Sequence, residues 1–228
     1  RCGAFERRHN LDDELYRRLL AVALEHDGDH ADLYFQQRTA QSLALEDQGI
    51  NRASCSEDLG VGIRVMAGEA CGYAFCEELE VGAMVEAAKV ASAIARGDAK
   101  VAPQAIERRF HAGDSDGGGH FVVVQPWREV SIDQRVPLLE RLDRRAFAAD
   151  SRIKKVRARL ADAETEVLIV DAEGFKSYDH LPMSVISCSC VAEKGDRREE
   201  ASVSFGGRWG FEAFTIERLD GLVDEAVA

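Results

Sequence analysis

Apolar residues recur at helical spacing near the start of the chain, at Leu11, Leu15, Leu19 and Val22, and then the period changes. Between Ala31 and Phe75, four short runs are rich in β-branched, aromatic and aliphatic residues or alternate apolar with polar, which predicts strands. They are Ala31-Asp32-Leu33-Tyr34-Phe35-Gln36, Ser42-Leu43-Ala44-Leu45-Glu46-Asp47, Gly60-Val61-Gly62-Ile63-Arg64-Val65 and Gly72-Tyr73-Ala74-Phe75. Gly68, between the third and fourth, supplies the positive φ of a tight hairpin, so these two runs are expected to pair antiparallel. A second helical face follows at Val81, Met84, Val85, Ala88 and Ala95 and ends near Arg96-Gly97.

The glycine-rich stretch 113–119 reads as a linker, and after it the layout recurs. Ser131 and Gln134 make a capping box for a helix with Val136, Leu139, Leu142 and Ala146 on its inner face, ending near Asp150-Ser151. Strand-like runs follow at 156–160, 166–170, 183–191 and 200–205, of which the unbroken Val167-Leu168-Ile169-Val170 belongs in a central strand. A last helix starts near Phe214, with Leu219, Leu222, Val223 and Ala226 on one face. The expectation is an α+β protein of two tandem modules, each a mainly antiparallel β-sheet with helices packed on one face. The domains are 1–112 and 120–228, and the second is truncated in its last helix. An uncovered edge in the second sheet would let an extended peptide add as a further strand.

Charge narrows the function classes. The formal charge is −12, with 13 basic and 19 acidic side chains in residues 1–112 and 16 and 22 in the remainder, so neither half is a basic module. This weighs against nucleic acid as a partner. The local exception holds Arg141, Arg144, Arg145, Arg152, Lys154, Lys155, Arg157 and Arg159. It reads as the solvated face of a helix followed by the wet side of an edge-type strand, because aromatic residues for base stacking are missing nearby. No apolar run reaches membrane-spanning length and no secretory signal is visible, so the expected location is cytoplasmic. The cysteines, Cys2, Cys55, Cys71, Cys76, Cys188 and Cys190, form no CxxC pair and read as free thiols. Cys188 and Cys190 are expected to be small buried residues of one strand face rather than metal ligands.

Other constellations carry no chemistry. Gly60 and Gly62 fit a bulge or a close backbone approach, since no Lys, Ser or Thr follows at P-loop distance. Gly28 breaks any helix that would align His26 with His30. Asp114 and Asp116 lack the downstream glutamate of a calcium loop, and no serine stands in a G-x-S-x-G elbow. None of the histidines, at 9, 26, 30, 111, 120 and 180, is followed by Glu. No catalytic, cofactor-binding or metal residue is nominated.

As a string, the four runs from Ala31 to Phe75 resemble the N-terminal domain of the TldD/PmbA family, on its TldD side. Gly206-Gly207-Arg208-Trp209-Gly210-Phe211-Glu212 is similar to the stretch that closes the family's middle domain. The resemblance implies a zinc-dependent peptidase subunit that works with a TldE/PmbA-like partner, or as a homodimer, on unfolded peptides. It also implies an HExxxH zinc motif beyond the middle domain, so zinc is expected in the full-length protein and not within this chain. A chain that starts at Arg1 and stops inside a helix without a capping residue agrees with that. Glu46, Arg64, Glu69, Arg208 and Trp209 fall in the matching strings, where packing, turn formation or salt bridging accounts for each. Three classes follow: the amino-terminal part of a TldD-like metallopeptidase, a non-catalytic peptide-binding or scaffolding subunit of PmbA/TldE type, and a modulator of DNA topology.

Overall fold

The computed structural model describes residues 3–96, 121 and 123–228. The linker at 113–119, His111, His120, Cys2 and the Asp114–Asp116 loop therefore lie outside the described residues. Helix α1 (Ala4–His9), which the sequence pattern did not reveal, is closed by Glu6, whose carboxylate accepts from the Gly3 N–H at 2.5 Å, and by Asn10 at φ 53°. Helix α2 (Asp13–Ala23) starts where the Asp12 side chain accepts from the Leu15 N–H at 2.8 Å.

Strand β1 (His30–Glu46) takes up two of the expected runs at once. The segment between them, Gln37-Arg38-Thr39-Ala40-Gln41, is polar but offers no glycine, proline or asparagine to turn on, so the chain stays extended. Asp47, expected inside the second run, instead turns the chain: Asp47 and Gln48 both have positive φ, 53° and 64°, and form the two-residue connection to β2 (Gly49–Ala67). Gly68, at φ 57°, makes the next turn into β3 (Ala70–Cys76), and β2 and β3 pair antiparallel with Gly62 opposite Phe75 and Arg64 opposite Tyr73. Helix α3 (Val81–Arg96) packs on β3.

Two one-turn 3₁₀ helices, Trp127–Glu129 and Phe211–Ala213, flank the later elements. Helix α4 (Ile132–Ala149) begins at the expected capping box, with the Ser131 N–H donating to Gln134 Oε1 at 3.0 Å. Strand β4 (Ile153–Asp171) again joins two expected runs, and β5 (Lys176–Lys194) pairs antiparallel with β6 (Arg197–Gly207). Helix α5 (Ile216–Val227) is capped by Thr215 and packs on α4 and β6.

The protein is α+β, and its strands follow the order β3-β2-β1-β4-β5-β6. Val167–Val170 thus lies on an interior strand, as expected. Lys155, Arg157 and Arg159 alternate with buried Val156, Ala158 and Leu160, but their strand is β4, which has a neighbour on both sides and is no edge. Two units are distinguished. The first holds the described residues of Arg1–Arg38, Asp58–His120 and Glu166–His180, with a core of residues such as Leu19, Leu33, Phe35, Ile63, Met84 and Leu168. The second holds those of Thr39–Glu57, Phe121–Thr165 and Leu181–Ala228, around Trp127, Leu139, Leu142, Leu160, Ile186 and Val223.

Candidate functional site

On the β2–β3 hairpin the period-2 alternation assigns Ile63 and Val65 to the first core and Gly60, Gly62 and Arg64 to the opposite face. The glycines shape that face. A Cβ at Gly62 would lie 2.5 Å from the Tyr73 hydroxyl, so the absent side chain lets the Tyr73 ring lie across the strand. A Cβ at Gly60 would lie 2.7 Å from the Cys76 carbonyl oxygen, which confirms the close backbone approach expected there. On the inner face, Gly72 plays the matching part toward the helix, since its Cβ would stand 2.6 Å from the Ala95 nitrogen of α3.

The result is a shallow groove of about 280 Å³ bordered by Tyr34, Tyr73 and Phe75, with Gly62 in its floor and Asp58 and Glu77 among its carboxylates. Phe75 is 67% exposed and Tyr73 56%, unusual for rings of a hairpin that has a core to face. Tyr34 donates to Gln36 Oε1 at 3.2 Å. Burial, and then Tyr73, raise the Tyr34 phenol above its ordinary pKa, so it stays neutral. Burial followed by Glu78 likewise raises Cys76, which remains a thiol and offers no nucleophile. Its lining residues include two carboxylates and two phenols, and no His, Lys or Arg. Strand alternation puts Tyr73 and Phe75 on one face, but the sequence pattern did not disclose that Tyr34 of another strand meets them there.

The second unit is organised by the Gly206–Glu212 stretch. A side chain at Gly207 would sit 2.6 Å from the Trp209 ring, which stacks on Phe205 at 4.8 Å and carries Arg218 over both rings. The Trp209 carbonyl accepts from Trp127 Nε1 at 2.9 Å and from Ser184 Oγ at 3.1 Å, and Glu212 accepts from the backbone N–H groups of Val124 and Gln125. Beneath this lies a buried charged cluster. Arg135 pairs with Asp162, donates to the carbonyls of Trp127 (2.6 Å) and Val130 (3.0 Å), and lies 5.2 Å from the Trp127 ring centroid. Glu164 accepts from the Trp127 N–H at 2.8 Å. Burial outweighs the pull of Arg135 and pushes Asp162 up to about 6. The inward phase set by Val156, Ala158 and Leu160 continues through Asp162, Glu164 and Glu166, a signal present in the sequence but masked by the charges. In the first unit Glu166 pairs with Arg8 at 2.7 Å and accepts from Tyr178 at 2.6 Å.

Most of the residues in the family-like strings have structural partners. Glu46 pairs with Lys155 and Arg157, and Arg64 pairs with Asp32 through Nε at 2.7 Å and Nη2 at 2.6 Å. Glu69 is exposed in the β2–β3 turn, and the Arg208 guanidinium lies 5.0 Å from the Phe121 ring. His30 pairs with Glu173 at 2.9 Å rather than with His26. The basic stretch is largely answered by carboxylates: Arg141 bonds Asp220 at 2.8 and 2.7 Å, Arg145 bonds Asp224 at 2.6 Å, and Arg152 bonds Asp150 at 2.5 Å.

The described residues do not fit a zinc ion. Cys188 and Cys190 face each other at 3.9 Å in the second core, and their contact together with burial holds Cys188 far above the ordinary thiol range. No three metal-ligating side chains converge among the described residues. No helix among them is long and apolar enough to cross a membrane.

Residues 31–95 match PmbA/TldA metallopeptidase domain 1, and residues 125–228 match the PmbA/TldA metallopeptidase central domain. A metalloprotease TldD homolog of Haemophilus influenzae is 30% identical over 212 residues, taking in 93% of this chain and 43% of that protein. One of Buchnera aphidicola subsp. Schizaphis graminum is 27% identical over 212 residues, with 89% and 42% covered. The chain thus spans about two fifths of the length of the curated relatives it matches. Among solved structures, a candidate modulator of DNA gyrase from Bacteroides thetaiotaomicron gives a TM-score of 0.72 at 16% identity, over 95% of this chain and 49% of that one. TldE from Thermococcus kodakarensis gives 0.69 at 16% identity, over 93% and 46%. At such identity the likeness is one of fold.

Proposed function

This chain belongs to the TldD/PmbA family, and on that premise we propose that it forms the first two domains, 1–112 and 120–228, of a TldD-like zinc metallopeptidase subunit acting on unstructured peptides. The observation that carries the reading is the likeness to metalloprotease TldD homologs along nearly the whole chain. Because no three metal-ligating side chains converge among the described residues, this reading assigns zinc and the bond-breaking step to residues outside the 228, and no step is routed through this chain. Its own part is to bind and orient peptide. The groove at Tyr34, Tyr73 and Phe75 supports that role, as does β6 at one end of the strand order, where an extended peptide can add by main-chain hydrogen bonds. The partner in this reading is a TldE/PmbA-like subunit or a second copy, and the location is the cytoplasm.

The test is zinc content and hydrolysis of an unstructured peptide by the full-length protein, with and without the partner subunit. Stoichiometric zinc with partner-dependent cleavage is expected. Metal-free protein that cleaves nothing even with its partner sinks the peptidase reading and leaves the second one, a non-catalytic TldE/PmbA-like subunit. The third reading, modulation of DNA topology, has the net charge of −12 against it; steep salt-dependent DNA binding would revive it.

A further inference from the structure

We infer that the groove bordered by Tyr34, Tyr73 and Phe75 receives a basic side chain, arginine in preference to lysine, from an extended peptide. The inference rests on the reading that this chain handles unstructured peptides, and it adds what such a peptide carries.

Three observations point to a cation. The rings stand on β1 and β3, on either side of β2, where Gly62 contributes no side chain, so three aromatic rings border a trough that Leu59 and Val61 also line. Phe75 lies opposite Gly62, which offers it no side chain from β2, and it stays two-thirds exposed. Aromatic faces carry negative potential and attract ammonium and guanidinium groups, but they also accept apolar side chains, so the rim decides. That rim is acidic. Glu77 has no ion pair among the described residues, and Asp58 has only a 3.9 Å contact with exposed Arg38. Arg64, the cation on the same face of β2, is already bound by Asp32 through two nitrogens. A guanidinium suits such a site better than an ammonium, because its plane stacks on rings while its edge reaches a carboxylate.

The probe is a fluorescein-labelled Gly/Ser peptide with one central arginine, titrated by anisotropy into the full-length protein with a chelator present so that it is not cut. Control peptides carry lysine or citrulline, which has nearly the shape of arginine without the charge. The arginine peptide is expected to bind about five- to tenfold tighter than the citrulline peptide, with lysine between them. Phe75→Ala and Tyr73→Ala each remove the preference, and Glu77→Gln weakens both the preference and its salt dependence. Equal affinity for arginine and citrulline, or a preference that survives both ring deletions, overturns the inference. The citrulline comparison needs no protein variant, so misfolding cannot mimic it. Without chelator the two readings separate: equal cleavage of arginine and citrulline peptides keeps the peptidase and removes this groove, whereas arginine preference without cleavage does the reverse.

Discussion

The Tyr73 hydroxyl occupies the space next to Gly62 that a side chain would need, 2.5 Å from the position of its missing Cβ. Only the Tyr73 ring is that near, and a ring on an exposed face can swing away. Gly62→Val is therefore expected to leave stability within about 1 kcal/mol, since the loss of contact is offset by a better strand former. It should nevertheless abolish the arginine preference. Urea denaturation and the anisotropy titration check the two halves.

Gly72 behaves in the opposite way. What a Cβ there would meet is backbone of α3, with the Ala95 nitrogen at 2.6 Å, and a helix cannot swing aside as a ring does. Gly72→Ala should cost about 1–3 kcal/mol through displacement of α3 from β3, read as a lower denaturation midpoint.

Asp162 gives a pH dependence of known sign. Its folded pKa, about 6, is raised from 3.8, so the folded state holds the proton more tightly than the unfolded one. The contribution is fully present below 3.8 and is lost as pH rises through about 6. A rise from 3.8 to about 6 corresponds to about 3 kcal/mol. The stability difference between the protein and its Asp162→Asn variant should therefore move against the protein by an amount of this order between pH 3.5 and pH 7 (roughly the span of the two pKa values). A flat difference across that range contradicts the assignment.

Much of this was legible in the chain, for identifiable reasons. Ser131 with Gln134 announces α4, and Gly68 announces the β2–β3 turn, because capping and positive φ are local requirements. The first half of β2 was invisible, since residues 49–58 are exposed throughout and leave no apolar alternation to read. Its extension comes from pairing, a non-local cause. Asp162 and Glu164 were missed for the converse reason: charges on an inward phase read as outward unless their partners, Arg135 and the Trp127 N–H, are known to lie opposite.

That last bond makes a prediction of its own. Glu164→Ala strands the buried Trp127 N–H and should cost about 1–3 kcal/mol, while Glu164→Gln keeps an acceptor there and should cost less. Thermal denaturation of the two variants side by side gives the ordering, and a reversed order would show that the N–H finds another acceptor.

Asp150 offers a probe at the surface. Its hydrogen bonds from Arg152 lower its pKa to about 2. Arg152→Ala removes the guanidinium but keeps the residue-152 N–H that also donates to Asp150, so the pKa should rise only part of the way toward the ordinary carboxylate range, a shift visible by NMR titration.

The ion pairs of Arg141, Arg145, Arg152 and Arg157 have a consequence for polyanions. A phosphate chain approaching this stretch meets guanidinium groups already neutralised by Asp220, Asp224, Asp150 and Glu46, and must break each internal contact before making its own. Heparin should therefore release the protein at low ionic strength, however many positive letters this stretch displays.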